Sequence, residues 1–298
     1  MNNIRQHVVL NFDGSVEISN AAQNIDLASW QEQIRFGCHW KKFQQLEDYL
    51  AEQLPPSDQL GCVFMGSGDY HHITQLLLKR ITNNEPVHLI VCDNHPDNMR
   101  YPFGIHCGSW VYWASRLPQV ARIDVIGISS SDISLKHAWE NHWSPLYKGK
   151  LHYWSIQQKA NWTQWIGAQH AWHGYDEPDQ LMSDFFNEIQ KIDLPIYLSI
   201  DKDVLSKDVV MTNWDQGHFL EKHLQDLIQT CSARLIGADI TGDVSAFHYQ
   251  SRLKRFLSES DGQQEPTQIE IAQWQIHQQA LNQRLLNSIH HAWKIGRA

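Results

Sequence analysis

The apolar run Leu89-Ile90-Val91-Cys92 ends in Asp93-Asn94-His95-Pro96-Asp97. A short run of this kind between polar stretches reads as a buried strand. Asp93, His95 and Asp97 follow at every second position, and on extended chain that spacing sends all three side chains to one face. Carboxylates gathered away from water resist ionising together, so a cluster of this type calls for a divalent cation. The plain alternative is a solvated acidic loop after a strand. A second apolar run, Ile196-Tyr197-Leu198-Ser199-Ile200, ends in Asp201-Lys202-Asp203 and repeats the pattern. Two strand ends of the same design argue against that alternative.

The rest of the chain predicts the frame. His7–Phe12 and Ser15–Ile18 flank Asp13-Gly14, which reads as a hairpin. Trp40 to Gln53 reads as a helix that Pro55-Pro56 stops. From Gly61 onward strands and helices alternate. Strands are expected at Gly61–Met65, Val87–Cys92, Ile123–Ile128, Leu151–Trp154, Ile196–Ile200 and Leu235–Ile240. Helices are expected at Ile73–Ile81, from His106 to about Leu117, at 132–143, Trp162–Ile166, Pro178–Ile192 and Phe219–Cys231. A polar stretch, Ser258–Glu265, precedes a Gln-rich helix from Thr267 to about Trp293. Such alternation implies a mostly parallel sheet covered by helices on both faces, a three-layer α/β/α architecture. One α/β domain over 1–298 is expected, with a hairpin and helix extension at 1–60 and a terminal helix over 266–298. In such folds ligands bind beyond the carboxyl ends of the strands. The clusters at 66–72, 93–97, 201–203 and 239–243 all fall there.

Composition narrows the partners. The net charge is −9, and no long basic run occurs. That disfavours nucleic acid or an anionic membrane surface as the main partner. No apolar run approaches the roughly 20 residues of a membrane span. The 5 cysteines form no Cys-x-x-Cys pair, which fits reduced thiols and a cytoplasmic location. The terminal helix reads as a packing or oligomer element, compatible with a homo-oligomer.

The two strand ends supply four Asp and a His, and the turn Gly66-Ser67-Gly68-Asp69-Tyr70-His71-His72 supplies further His. A carboxylate-rich, thiolate-free set leans toward Mn²⁺. At this point the chain resembles the arginase/agmatinase (ureohydrolase) family. That family has a Gly-Gly-Asp-His turn, an Asp-Ala-His-x-Asp motif and a Ser-x-Asp-x-Asp motif in this order. Here they correspond to Gly66–His72, Asp93–Asp97 and Ser199–Asp203, and Gly104-Ile105-His106-Cys107-Gly108 is similar to the family's His-Gly loop. The motif-bearing region spans 60–245.

The resemblance implies an arginase-like three-layer fold and two Mn²⁺ ions. Asp93 and Asp201 would bridge them. Asp97 with one of His71 or His72 would complete the first site, and His95 with Asp203 the second. His106 would be the acid/base that gives a proton to the leaving amine. The implied reaction is hydrolysis of a C–N bond in a small guanidino, amidine or amide-like substrate by a metal-bridging hydroxide. One position departs from the pattern. The family's Asp-x-x-Glu sequence, whose last carboxylate pairs with the guanidinium, is Asp239-Ile240-Thr241-Gly242 here, and the nearest carboxylate is Asp243. Asp243 is thus the candidate substrate carboxylate. The competing reading is a non-catalytic protein that keeps the fold and the metal site for structure or ligand binding.

Overall fold

The protein is described by a computed structural model over residues 5–18, 22–82, 85–252, 254–255 and 266–296. The polar stretch Ser258–Glu265 lies outside these residues.

Nine strands form one parallel sheet. They are β1 (Gln6–Asn11), β2 (Ala22–Asp26), β4 (Leu60–Phe64), β5 (Val87–Cys92), β7 (Val120–Ile128), β8 (Leu151–Ile156), β9 (Trp172–Tyr175), β10 (Ile196–Asp201) and β11 (Leu235–Thr241). Their spatial order is β2-β1-β4-β11-β10-β5-β7-β8-β9. Two short strands, β3 (Gly37–Cys38) and β6 (Ile105–His106), pair antiparallel outside it. The helices used below are α2 (Trp40–Gln53), α3 (Thr74–Lys79), α4 (Trp110–Ser115), α6 (Pro178–Ile189), α7 (Glu221–Cys231) and α8 (Gln268–Ile295), with four- and five-residue helices α1 (Gln31–Ile34) and α5 (Trp143–Tyr147) between them.

Both faces of the sheet are covered, so the central strands are apolar on both sides. Leu89 and Val91 of β5 join one core with Val63, Val125 and Trp110. Ile90 and Cys92 point the other way and join Leu198, Ile200, Ile240 and the α8 residues Leu281 and Leu285. Alternation along a single strand therefore feeds two separate cores.

Several expectations change. No hairpin forms at Asp13-Gly14. Residues 15–18 are not a strand, and β1 pairs instead with β2 in parallel. The turn is an Asx type in which Asn11 Oδ1 accepts from Gly14 N at 2.9 Å. Asp13 then points inward, accepting from Ser67 N at 3.2 Å and from Ser245 Oγ at 2.6 Å. Those contacts draw the chain across the sheet end, and buried Val16 joins the α8-side core. The helices expected at 132–143 and 162–166 are 3₁₀ turns at Ser131–Ile133, Leu135–Glu140 and Asn161–Ile166. β9 forms where no strand was expected. Its His173 stacks on Trp154 with ring centroids 4.1 Å apart.

Candidate metal centre

Strand order brings the two acidic strand ends together. β5 and β10 are neighbours in a register that pairs Cys92 with Ile200. Asp93 and Asp201 thus leave the sheet side by side. The chain beyond β4 turns through Gly66–Ser67 into a 3₁₀ helix, Gly68–Ile73, which leads into α3 and carries His71 over the strand ends. Glycine is required in this turn. A Cβ on Gly68 would sit 2.9 Å from Asp201 Oδ2 and 3.2 Å from the Trp214 indole. Buried Arg35 fixes the same turn: its Nε donates to Asp69 Oδ2 at 2.7 Å and one Nη to Ser245 Oγ at 3.0 Å.

The side chains form two groups that share Asp93: His71, Asp93 and Asp97, and Asp93, His95 and Asp203. His71 Nδ1 lies 3.0 Å from Asp93 Oδ2, 3.2 Å from Asp97 Oδ2 and 3.6 Å from Asp201 Oδ2. His95 Nδ1 lies 3.0 Å from Asp203 Oδ2 and 3.5 Å from Asp93 Oδ1. The backbone orients the carboxylates with the same device at both strand ends. Asp93 Oδ1 accepts from His95 N at 2.7 Å, and Asp201 Oδ1 accepts from Asp203 N at 3.0 Å. Each is an i to i+2 Asx turn, and it leaves the other oxygen directed into the cluster. Asp97 adopts φ +47°, a left-handed conformation uncommon outside glycine. Trp110 Nε1 of α4 donates to its Oδ2 at 2.6 Å.

Both imidazoles are held from behind. Ser199 Oγ gives its hydrogen to Asp239 Oδ1 at 2.6 Å and lies 2.9 Å from His71 Nε2. His71 therefore carries a proton on Nε2 and turns Nδ1 to the carboxylates. His95 Nε2 likewise lies 2.8 Å from Asp215 Oδ1. This is how metal-bound histidines are oriented in general.

The electrostatics call for added positive charge: burial opposes it, but the neighbouring carboxylates outweigh burial and raise His71 and His95 well above the usual imidazole range. Burial first, then neighbouring carboxylate charge, raises Asp97 and Asp203 to about 7. The same two causes raise Asp201 well above the usual range. His71 Nδ1 and Asp93 Oδ2 are both buried and make no hydrogen bond. Without added positive charge, two lone pairs would face each other there. An extra proton or a metal ion relieves this, and four carboxylates with two imidazoles suit a divalent metal such as Mn²⁺.

The cluster forms the floor of a cavity of about 360 Å³ whose outer wall includes His106, Ser130, Asp132, Glu140 and Trp214. The parallel sheet and its helical layers are shared with solved structures. Over 98% of this chain and 92% of the other, the agmatine ureohydrolase of Thermoplasma volcanium superposes with a TM-score of 0.55 at 13% identity. Formimidoylglutamase from Bacillus subtilis superposes with a TM-score of 0.54 at 12% identity, covering 99% and 89% of the two chains. The chain has the ureohydrolase fold. An uncharacterized protein of Thermotoga maritima is 26% identical over 239 residues, 79% of this chain and 78% of its own. No protein-family model matches.

Within the ureohydrolase fold, two sequence expectations are corrected. His72 belongs to neither ligand group. It is buried with its ring against Phe43, centroids 5.7 Å apart, and burial pushes its pKa well down. Adjacent residues on a 3₁₀ turn point about 120° apart, so only His71 reaches the carboxylates. Asp243 does not line the cavity. It is fully buried, pairs with Lys202 Nζ at 2.7 Å and accepts from Asn282 Nδ2 at 2.8 Å. Gly242 is pressed against the cluster from the same side. It holds φ +88°, and a Cβ there would meet Asp201 Oδ1 at 2.4 Å.

His106 does line the cavity. Its Nδ1 accepts from Gly108 N at 2.9 Å, which places the proton on Nε2. The ring stacks on Phe36 and meets the edge of Tyr101, and burial lowers its pKa to about 3. The histidine is therefore neutral near pH 7.

Sequence reasoning missed Asp215, Trp110 and the Ser199–Asp239 pair. Asp215-Gln216-Gly217 carries no strand-end signature, because the loop only becomes part of the site when it folds back over β5. Ser199 and Asp239 did carry a signal. Ser199 sits two positions before Asp201, and Asp239 lies directly opposite it on the neighbouring strand.

Proposed function

We propose that the two groups hold two Mn²⁺ ions and that the protein hydrolyses a C–N bond of a small guanidino, amidine or amide-like substrate. Asp93 would serve both sites, and Asp201, outside both groups but with Oδ2 3.6 Å from His71 Nδ1, would add a further carboxylate. His71 and Asp97 would complete the first site, and His95 and Asp203 the second. When bound, such a metal pair supplies a water activated for attack near neutral pH.

The chain's own residues perform the remaining tasks. Asp215 and the Ser199–Asp239 pair hold both imidazoles with Nδ1 directed at the carboxylates. His106 is a neutral donor through Nε2–H and would offer its hydrogen to the leaving nitrogen. Trp214 lines the cavity and is backed by Phe36, with ring centroids 6.4 Å apart.

One observation carries this reading: the buried, unbonded His71 Nδ1 and Asp93 Oδ2 facing each other at the centre of the carboxylates. The test is a calorimetric titration of Mn²⁺ into chelator-treated protein, followed by a screen of guanidino and formimidoyl compounds for released urea, formamide or ammonia. Uptake of two ions with turnover supports the proposal. Failure to take up any divalent metal defeats it.

The lack of a free carboxylate at Gly242 or Asp243 favours a second reading, a metal-holding protein without hydrolase activity. Two bound ions with no turnover across the screen would favour that reading.

A further inference from the structure

Lys202 stands between the two carboxylates of the second strand end, and it is fully buried. Its side chain leaves the cluster and runs toward α8. There Nζ lies 2.7 Å from Asp243 Oδ1 and donates to Asn282 Oδ1 at 2.8 Å. Asn282 returns a hydrogen bond from Nδ2 to the same Asp243 oxygen at 2.8 Å. The three groups form a closed triangle with no water-exposed member, since Lys202, Asp243 and Asn282 are each 0% exposed.

Asn282 is the last residue of a polar seam on α8. Gln275, Gln278, Gln279 and Asn282 fall at i, i+3, i+4 and i+7, the spacing of one helix face. A soluble helix ordinarily buries apolar residues on such a face. Here each amide meets a loop at the carboxyl edge of the sheet. Gln275 donates to Val244 O at 3.0 Å. Gln278 donates to Met211 O at 2.8 Å and to Gly242 O at 3.0 Å. Gln279 donates to Ser15 O at 2.6 Å. The apolar contacts of α8 with the core, Leu281, Leu285, Ile289 and Ala292, sit on other positions of the helix.

Unpaired, a buried Lys would be strongly destabilising, and even paired it adds little stability over apolar residues of similar size. Stability alone is a weak reason for this triangle. Its geometric effect is specific. Asp201 and Asp203 flank Lys202, and the backbone between them cannot turn while Nζ is held at its far end. Gly242, pinned by Gln278, packs against Asp201 Oδ1 from the same side.

We infer that Lys202, Asp243 and Asn282 are positioning residues, which set the aim of Asp201 and Asp203 and so tie metal affinity to the one α8 contact made by Asn282. This rests on the metal reading proposed above. It assigns to Asp243 a structural task in place of substrate binding, and to the Gln-rich helix a role in the site.

The test titrates Mn²⁺ into the chelator-treated full chain by calorimetry, with melting of the metal-free protein in parallel. Asn282→Leu is expected to weaken Mn²⁺ binding by about tenfold or more, the usual effect of removing a support behind a ligand. Gln275→Leu removes an α8 contact that does not touch Lys202 and is expected to leave the affinity unchanged. Wild-type affinity in N282L overturns the inference. So does an equal loss in both variants, because general loosening of α8 would then be the cause. If N282L does not fold, the triple variant K202M/D243L/N282L replaces the triangle with apolar groups and decides the matter. The same loss in the folded triple variant supports the inference, and wild-type affinity overturns it. A wild-type protein that takes up no Mn²⁺ defeats the metal reading itself. Two ions in the wild type with unaltered variants defeats this inference alone.

Discussion

His95 Nε2 is held 2.8 Å from Asp215 Oδ1, and this leaves its Nδ1 turned to Asp203 and Asp93. A residue on a loop thereby sets the tautomer of a candidate ligand 120 positions away in sequence. Removing Asp215 should free the ring to rotate and to protonate at either nitrogen. Asp215→Ala is expected to weaken one of two Mn²⁺ sites by about 10–100-fold. Calorimetry should resolve the biphasic isotherm that results. Two unchanged sites would show that Asp215 is a bystander.

Asp93 is common to both groups and is expected to be the least replaceable ligand. Asp93→Ala should abolish uptake of both ions. The thermal signature is equally direct. A metal that binds only the folded state at about 100 times its dissociation constant adds about 2.7 kcal/mol of stability. Mn²⁺ should thus raise the wild-type melting temperature by several degrees and leave Asp93→Ala unmoved.

The Lys202–Asp243 pair predicts a large asymmetry in stability. Asp243→Leu strands a buried ammonium and is expected to cost about 3–5 kcal/mol, as broken buried ion pairs do. Adding Lys202→Met should recover most of that loss. Denaturant melts of the single and double variants measure both values. A double variant no more stable than Asp243→Leu alone would contradict the pairing.

Acid should destabilise the fold through a half-buried histidine remote from the cluster, His173. Burial, and then the His152 charge, lower His173 to about 4 from 6.5. The folded state thus prefers neutral His173. Its contribution is fully present above pH 6.5 and is lost as pH falls from 6.5 toward 4. His173→Phe keeps the stack on Trp154 and removes the titration. Its melting temperature should fall less than that of wild type between pH 7 and pH 4.5, measured by calorimetric scans in matched buffers.

His106 is expected to matter for turnover and not for metal. His106→Asn should bind Mn²⁺ normally and slow hydrolysis by about 10²–10⁴-fold, the usual range for a positioned proton donor. Unaltered rates on any substrate found would remove His106 from the chemistry.

Much of the fold was legible because its signals are local. The apolar runs at Leu89–Cys92 and Ile196–Ile200 have to be strands buried on both faces, and both are. Trp40–Gln53 forms a helix with the expected bounds. Turn chemistry was less legible. Asp13-Gly14 has the composition of a hairpin turn, but Asp13 is recruited by Ser67 and Ser245, which lie 54 and 232 positions away. Long-range hydrogen bonds of that kind leave no trace in a local pattern.

The sequence by itself determined that Asp93, His95 and Asp97, and likewise Asp201 and Asp203, sit at the carboxyl ends of two buried strands. Past those ends the chain is not extended, and the side chains converge through the Asx turns at Asp93 and Asp201, the left-handed Asp97 and the 3₁₀ turn that carries Asp203. Only the tertiary structure decided which groups meet. The strand order sets β10 beside β5, which joins two acidic ends 108 positions apart. The pitch of a 3₁₀ turn chose His71 over His72. The fold of α8 across the sheet edge turned Asp243 inward to Lys202. Each of these outcomes depends on contacts between distant segments, and a sequence pattern carries direction along the chain but not adjacency across it.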